Sequence, residues 1–112
     1  MIFLVRRSVL GGETFEMYEV TFASRKAERA YIKLRKRGPK ILAEIDQALE
    51  QLETNPKDME LMRKRTIRKM KGKYKDKYRI STSSGYRIVY EVAEEQRIVK
   101  VYKIAPRGKI GY

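Results

Sequence analysis

Residues 63–79 read RKRTIRKMKGKYKDKYR and hold ten Lys or Arg against one Asp. Lysines and arginines in such a run follow phosphates, and the interleaved rings of Tyr74, Tyr78 and Tyr86 can stack on bases. The pattern suits single-stranded RNA, with Lys71, Lys73, Lys75, Tyr86 and Lys109 as candidate contacts; a solvated basic loop is the plainer alternative. The chain has no histidine and no cysteine, so proton transfer falls to Lys, Tyr, Asp or Glu, and there is no disulfide, thiolate or imidazole–metal chemistry.

Strand periodicity sharpens the reading. In SSGYRIVYEV (83–92), Tyr86, Ile88, Tyr90 and Val92 share one face, while Arg87, Val89 and Glu91 share the other. In the preceding segment Tyr78 and Ile80 point one way, Arg79 and Ser81 the other. A hairpin across Ser83–Gly85 then brings Arg79 and Arg87 onto one open surface. Two like charges side by side repel unless an anion lies between them, which argues for a phosphate site. The alternative is neutralisation of one arginine by Glu91 or Glu19.

The whole chain is strongly basic. Its 112 residues carry 27 Lys and Arg against 14 Asp and Glu, a formal net charge of +13. That balance favours polyanions, first nucleic acid and then an acidic protein. The charge is uneven, because residues 41–62 hold six acidic residues and one lysine. With 42% hydrophobic residues the chain has the composition of a folded domain. No long apolar segment is present and the first residues make a poor signal peptide, so a cytoplasmic location without a membrane is expected.

The elements that must position these residues are legible. Residues 17–24 alternate as a half-buried strand. Ser24 can cap a helix to about Arg37, Gly38-Pro39 breaks it, and a second helix runs to about Thr54 before Asn55-Pro56. Strands are expected near 66–70, 77–82, 86–92 and 97–104. The sum is an α+β fold of two layers, a helical hairpin on one face of a mostly antiparallel sheet. Residues 17–112 form the single domain. Residues 1–16 are either an extra edge hairpin around Gly11-Gly12 or a dispensable extension preceding a start at Met17.

The segments KMKGKYKDKYRI, SSGYRIVYEV and IVKVYKIAPRGKIGY resemble the RelE/ParE superfamily of toxins from toxin–antitoxin systems. They are most similar to the RelE branch, archaeal members included, over about residues 17–112. The resemblance implies a β-α-α-β-β-β order and a ribosome-dependent, metal-independent endonuclease that cuts messenger RNA in the ribosomal A site, leaving a 2′,3′-cyclic phosphate. By position it implies catalytic roles for Arg87 and Arg107 on phosphate, for Arg79 in the preceding strand, and for Tyr112 stacking on a base. Better-known members carry two lysines where this chain has Tyr78-Arg79-Ile80-Ser81. Arginine is a poor base, which leaves Lys77 as the candidate base or as a plain phosphate contact. No metal or cofactor is expected. The resemblance also implies a cognate antitoxin with an acidic or amphipathic segment. Two alternatives stay open, a ParE-like inhibitor of DNA gyrase and a member that binds RNA or ribosomes without cutting.

Overall fold

The computed structural model describes residues 3–4, 7–10 and 13–110. Eight strands are present among them: β1 (Phe3–Leu4), β2 (Arg7–Leu10), β3 (Glu13–Glu16), β4 (Glu19–Phe22), β5 (Ile67–Lys69), β6 (Tyr78–Ser81), β7 (Tyr86–Ala93) and β8 (Ile98–Pro106). Three helices, α1 (Arg25–Arg37), α2 (Pro39–Thr54) and α3 (Met59–Arg63), separate β4 from β5.

The local chemistry explains the helix ends. Ser24 has extended backbone, and its hydroxyl accepts from the Ala27 N–H at 3.1 Å. The same hydroxyl donates to the Tyr102 carbonyl at 2.9 Å, tying the start of α1 to β8. Pro39 begins α2, where its missing N–H costs nothing. Ile45, Ala48, Leu49 and Leu52 of α2 are buried at helical spacing. The Tyr31 hydroxyl donates to Asp46 at 2.7 Å and joins the two helices. Asp58 caps α3 through the Leu61 N–H. This third, five-residue helix was not expected; it is too short to show periodicity, and Leu61 and Met62 pack it on the core.

The main sheet runs β1-β4-β8-β7-β6-β5. Among the described residues, β4 with β8 is the one parallel pair of this sheet and the others are antiparallel. The two-layer α+β expectation therefore holds, with a single parallel pair near the middle. The N-terminal residues divide. Phe3–Leu4 pairs with β4 at the edge of the main sheet, whereas β2 and β3 pair with each other in a separate two-stranded sheet.

Simple alternation fails in β8. Val89 pairs with Lys103 and Tyr90 with Val101, so Tyr102 is an extra residue. The bulge lets Val99, Val101 and Ile104 all be buried toward the helices. It leaves Lys103 opposite Val89, on the sheet's other face.

Two cores result. The larger lies between helices and sheet and includes Phe22, Ile45, Leu52, Ile67, Ile80, Ile88, Tyr90 and Val101. Tyr90 is fully buried, and its hydroxyl donates to the Pro56 carbonyl at 2.6 Å; burial pushes that hydroxyl's pKa up. The smaller core, Met70, Val89 and Ile110, lies on the opposite face with Tyr74 and Ala105 against it. That face is therefore not wholly open. Among the described residues no helix is long and apolar enough to cross a membrane.

A polar cluster closes the end of the sheet near the β7–β8 turn. Lys57 contacts Glu94 at 2.9 Å, the Tyr18 hydroxyl donates to Glu94 at 2.7 Å, and Arg97 lies over the Tyr18 ring. Lys57 first, and then Tyr18, hold the Glu94 carboxyl below its ordinary pKa. A depressed carboxylate stabilises the fold above its unfolded pKa and loses that contribution as pH falls through the folded value. The stability gap between the wild type and Glu94→Gln should therefore be largest at about pH 7 and close toward about pH 3, read as melting temperatures. A gap constant across that range would contradict the assignment.

Candidate nucleic-acid interface

The register of the β5–β6–β7 ladder decides which cations meet. Ser81 pairs with Arg87, Arg79 with Val89, and Arg68 with Arg79. Pairs directly opposite share a face, so Arg68, Arg79 and Arg87 all project to the side away from the helices. The turn that enforces this is Thr82–Gly85. Gly85 has φ +88°, a left-handed conformation that favours glycine. Glu44 of α2 accepts from the Ser84 N–H at 2.8 Å and the Ser83 hydroxyl at 3.1 Å. These bonds, the backbone one first, hold the Glu44 carboxyl below its ordinary range.

A cavity of about 660 Å³ opens on this face, lined by Arg68, Lys69, Met70, Lys71, Arg79, Arg87, Arg107 and Gly108. Six of these eight residues are cationic and none is acidic. Arg79 is only 5% exposed, and its guanidinium donates to the Ser81 hydroxyl. Arg87 is half-buried; Arg68, Lys71 and Arg107 are exposed. Arg107 arrives from a different direction, on the single turn Arg107–Lys109 that follows β8. Its N–H donates to the Gly85 carbonyl at 3.0 Å, which sets that turn against the β6–β7 hairpin.

Arginine stays protonated in proteins and offers five donors in a planar fork that matches phosphate oxygens. Four guanidiniums around one cavity make a place where an anion relieves mutual repulsion and where charge developing on a phosphate is stabilised. Among the described residues no His, Cys, Asp or Glu cluster is arranged to hold a metal ion.

The expected site residues divide between the cavity and its surroundings. Arg79, Arg87, Arg107 and Lys71 come together at the cavity. Lys73, Lys75 and Lys109 are exposed on neighbouring turns and do not line it. Lys77 lies elsewhere on the same face, with its ammonium 3.7 Å from Glu91 and 4.7 Å from the centre of the Tyr102 ring. Glu91 is thus engaged with Lys77. Tyr86 must be corrected: the alternation that sends Arg87 outward sends Tyr86 to the helix side, where it packs against the main core. Tyr74 is also spoken for, since its ring covers the small core. Tyr112 lies outside the described residues. Arg68 and Lys69 were missed. The signal for Arg68 was available, because antiparallel pairing of the predicted strands near 66–70 and 77–82 sets Arg68 beside Arg79.

Pyrophosphate should stabilise the wild type in a dose-dependent way, by about 2.7 kcal/mol at a hundredfold excess over its dissociation constant, read as a rise in melting temperature. Arg87→Ala should lose most of that shift at the same concentration. An undiminished shift in the variant, measured by differential scanning fluorimetry, would place the anion elsewhere.

Comparison with known proteins bears on the family and the fold. The family model described as the ParE toxin of type II toxin–antitoxin system, parDE, matches residues 22–111. No curated protein sequence matches the chain. Among solved structures, the archaeal RelE–RelB complex from Pyrococcus horikoshii contains a chain 25% identical, with a TM-score of 0.58 over 82% of this chain and 97% of that one. The intact E. coli RelBE toxin–antitoxin complex gives 27% identity and a TM-score of 0.56 over 80% and 95%. A YoeB–YefM complex from Staphylococcus aureus shares the fold at 19% identity, with a TM-score of 0.63 over 79% and 94%. The chain belongs to the ParE toxin family of type II toxin–antitoxin systems, in the RelE/ParE superfamily, with RelE and YoeB toxins among its structural neighbours.

Proposed function

We propose that this toxin is a ribosome-dependent, metal-independent mRNA endonuclease that inhibits translation. The observation that carries the reading is the cavity lined by Arg68, Arg79, Arg87 and Arg107 with Lys69 and Lys71. In the reaction, a base takes the proton of a 2′-hydroxyl and the freed oxygen attacks the adjacent phosphorus. The bond from phosphorus to the 5′-oxygen breaks, and that oxygen takes up a proton. The products are a 2′,3′-cyclic phosphate and a 5′-hydroxyl. Arg87 binds the non-bridging oxygens as their charge grows, with Arg79 and Arg68 behind it. Arg107, on the facing turn, binds phosphate on the leaving-group side.

Proton transfer at this cavity falls to Lys71 rather than Lys77. Lys71 lines the cavity, whereas the Lys77 ammonium sits between Glu91 and Tyr102. Lys73, Lys75 and Lys109 extend the positive surface along which an RNA backbone would run. Placement of the message in the ribosomal A site and a cytoplasmic location belong to the same reading. The partner is a cognate antitoxin with an acidic or amphipathic segment. Support comes from the net charge and from the structural neighbours, which are toxins in complex with RelB and YefM.

A second reading follows from the family match itself, whose description is of a ParE toxin. On it the protein would poison DNA gyrase. A third, RNA or ribosome binding without cleavage, follows from the lack of the lysine pair, since the strand before Arg87 reads Tyr78-Arg79-Ile80-Ser81.

Primer extension on mRNA translated in vitro separates them. Wild type should give discrete cuts within codons, and Arg87→Ala should reduce the rate at least about a hundredfold, the usual cost of removing one donor to a developing oxyanion. Its melting temperature should stay near the wild-type value. Toxicity that survives in Arg87→Ala without any transcript cut would refute the nuclease, and a gyrase supercoiling assay would then test the second reading.

A further inference from the structure

The Arg107–Lys109 turn is exposed at every residue, so packing of its own side chains does not hold Arg107 in the cavity. Gly108 has open space around it and adds no stiffness. The turn is instead fixed at its two ends. At one, the Arg107 N–H bonds Gly85 of the β6–β7 hairpin at 3.0 Å. At the other, Ile110 is fully buried against Met70 and Val89. Its carbonyl accepts two bonds at once, from the Tyr74 hydroxyl at 3.2 Å and from the Lys103 ammonium at 3.1 Å. Three residues cannot wander far when both flanks are pinned. Burial of the isoleucine favours the docked turn, and a lysine bond to a carbonyl is charge-assisted.

The two donors come from different elements, the Gly72–Tyr74 turn and β8. Tyr74 ends the single turn Gly72–Tyr74, whose preceding residue is Lys71, a lining residue. Lys103 reaches the carbonyl because the β8 bulge turns it to the face that carries Val89. The grip on Ile110 therefore ties the segment that follows Lys71 to the segment that follows Arg107.

We propose that Tyr74 and Lys103 are positioning residues that act through Arg107, holding it at the distance from Lys71 that a phosphate requires. The role of the clamp in cleavage rests on the nuclease reading; its hold on the turn does not. A misplacement of a charged donor by a fraction of its contact distance costs rate without costing the fold.

The test uses Tyr74→Phe, which keeps the ring in the small core, and Lys103→Met, which keeps the apolar stem. Cleavage of translated mRNA by each variant should fall about tenfold in the Arg107 background and less than about twofold in an Arg107→Ala background, as expected of groups acting through one another. Equal losses in both backgrounds would overturn the proposal, since a general loss of stability would be additive. Amide hydrogen exchange supplies a readout independent of catalysis. Exchange at the Arg107 N–H should quicken about tenfold in either variant while Ile88 and Val101 keep their protection, the mark of local rather than global opening. Unchanged exchange at Arg107 would overturn the clamp whatever the enzyme does. A wild type that cuts no RNA but loosens at Arg107 on Tyr74→Phe would instead sink the nuclease reading and leave the clamp standing.

Discussion

Mutual repulsion among cations is the constraint this fold must satisfy. Arg68 and Arg79 are paired directly across neighbouring strands, and Arg87 is on the same face one pair along. Like charges so placed destabilise a sheet unless the surrounding structure insists on them. Here it insists. Each arginine alternates with a residue that the main core needs: Arg68 with Ile67, Arg79 with Tyr78 and Ile80, Arg87 with Ile88. The register that buries those apolar side chains leaves no other direction for the arginines. Hydrophobic burial on one face thus holds an electrostatic arrangement on the other.

The remaining wall of the cavity is built by different means. Arg107 lies beyond the last strand, where no ladder fixes it. The small core under Ile110, the bulge at Tyr102 and the hydrogen bond to Gly85 take the ladder's place. Glu44 adds a link from the helix layer, since it grips the same β6–β7 turn from the far side. The site is therefore supported from both layers, although its cations all lie on one.

Much of this was legible in the sequence, and for identifiable reasons. Arg87 and Arg79 were placed by period two alone, because uninterrupted alternation in β6 and β7 fixes which face each side chain takes. The helical hairpin followed from the Ser24 cap and the Gly38-Pro39 break. Lys77 and Tyr86 show the limits. Lys77 was singled out by closeness in sequence to Arg79, but two residues along a strand is about 7 Å, far enough to place it beside Glu91 instead. Tyr86 was chosen as an aromatic near basic residues, although its own alternation assigned it to the core. The bulge in β8 and the return of Ile110 across the open face were not readable. Both depend on how one extra residue is absorbed between strands, which no local pattern records.

On the proposed function, RNA phosphate binds at the four-arginine cavity and not along the basic outer face of α1, which also exposes Arg25, Arg29 and Arg35. The arginine side-chain Nε–H resonances, followed during titration with a 2′-O-methyl oligonucleotide that cannot be cut, decide between these surfaces. Binding at the cavity should shift the Arg68, Arg79, Arg87 and Arg107 signals together to saturation, while those of α1 stay still. Shifts confined to the α1 arginines, or spread evenly over the molecule, would contradict it.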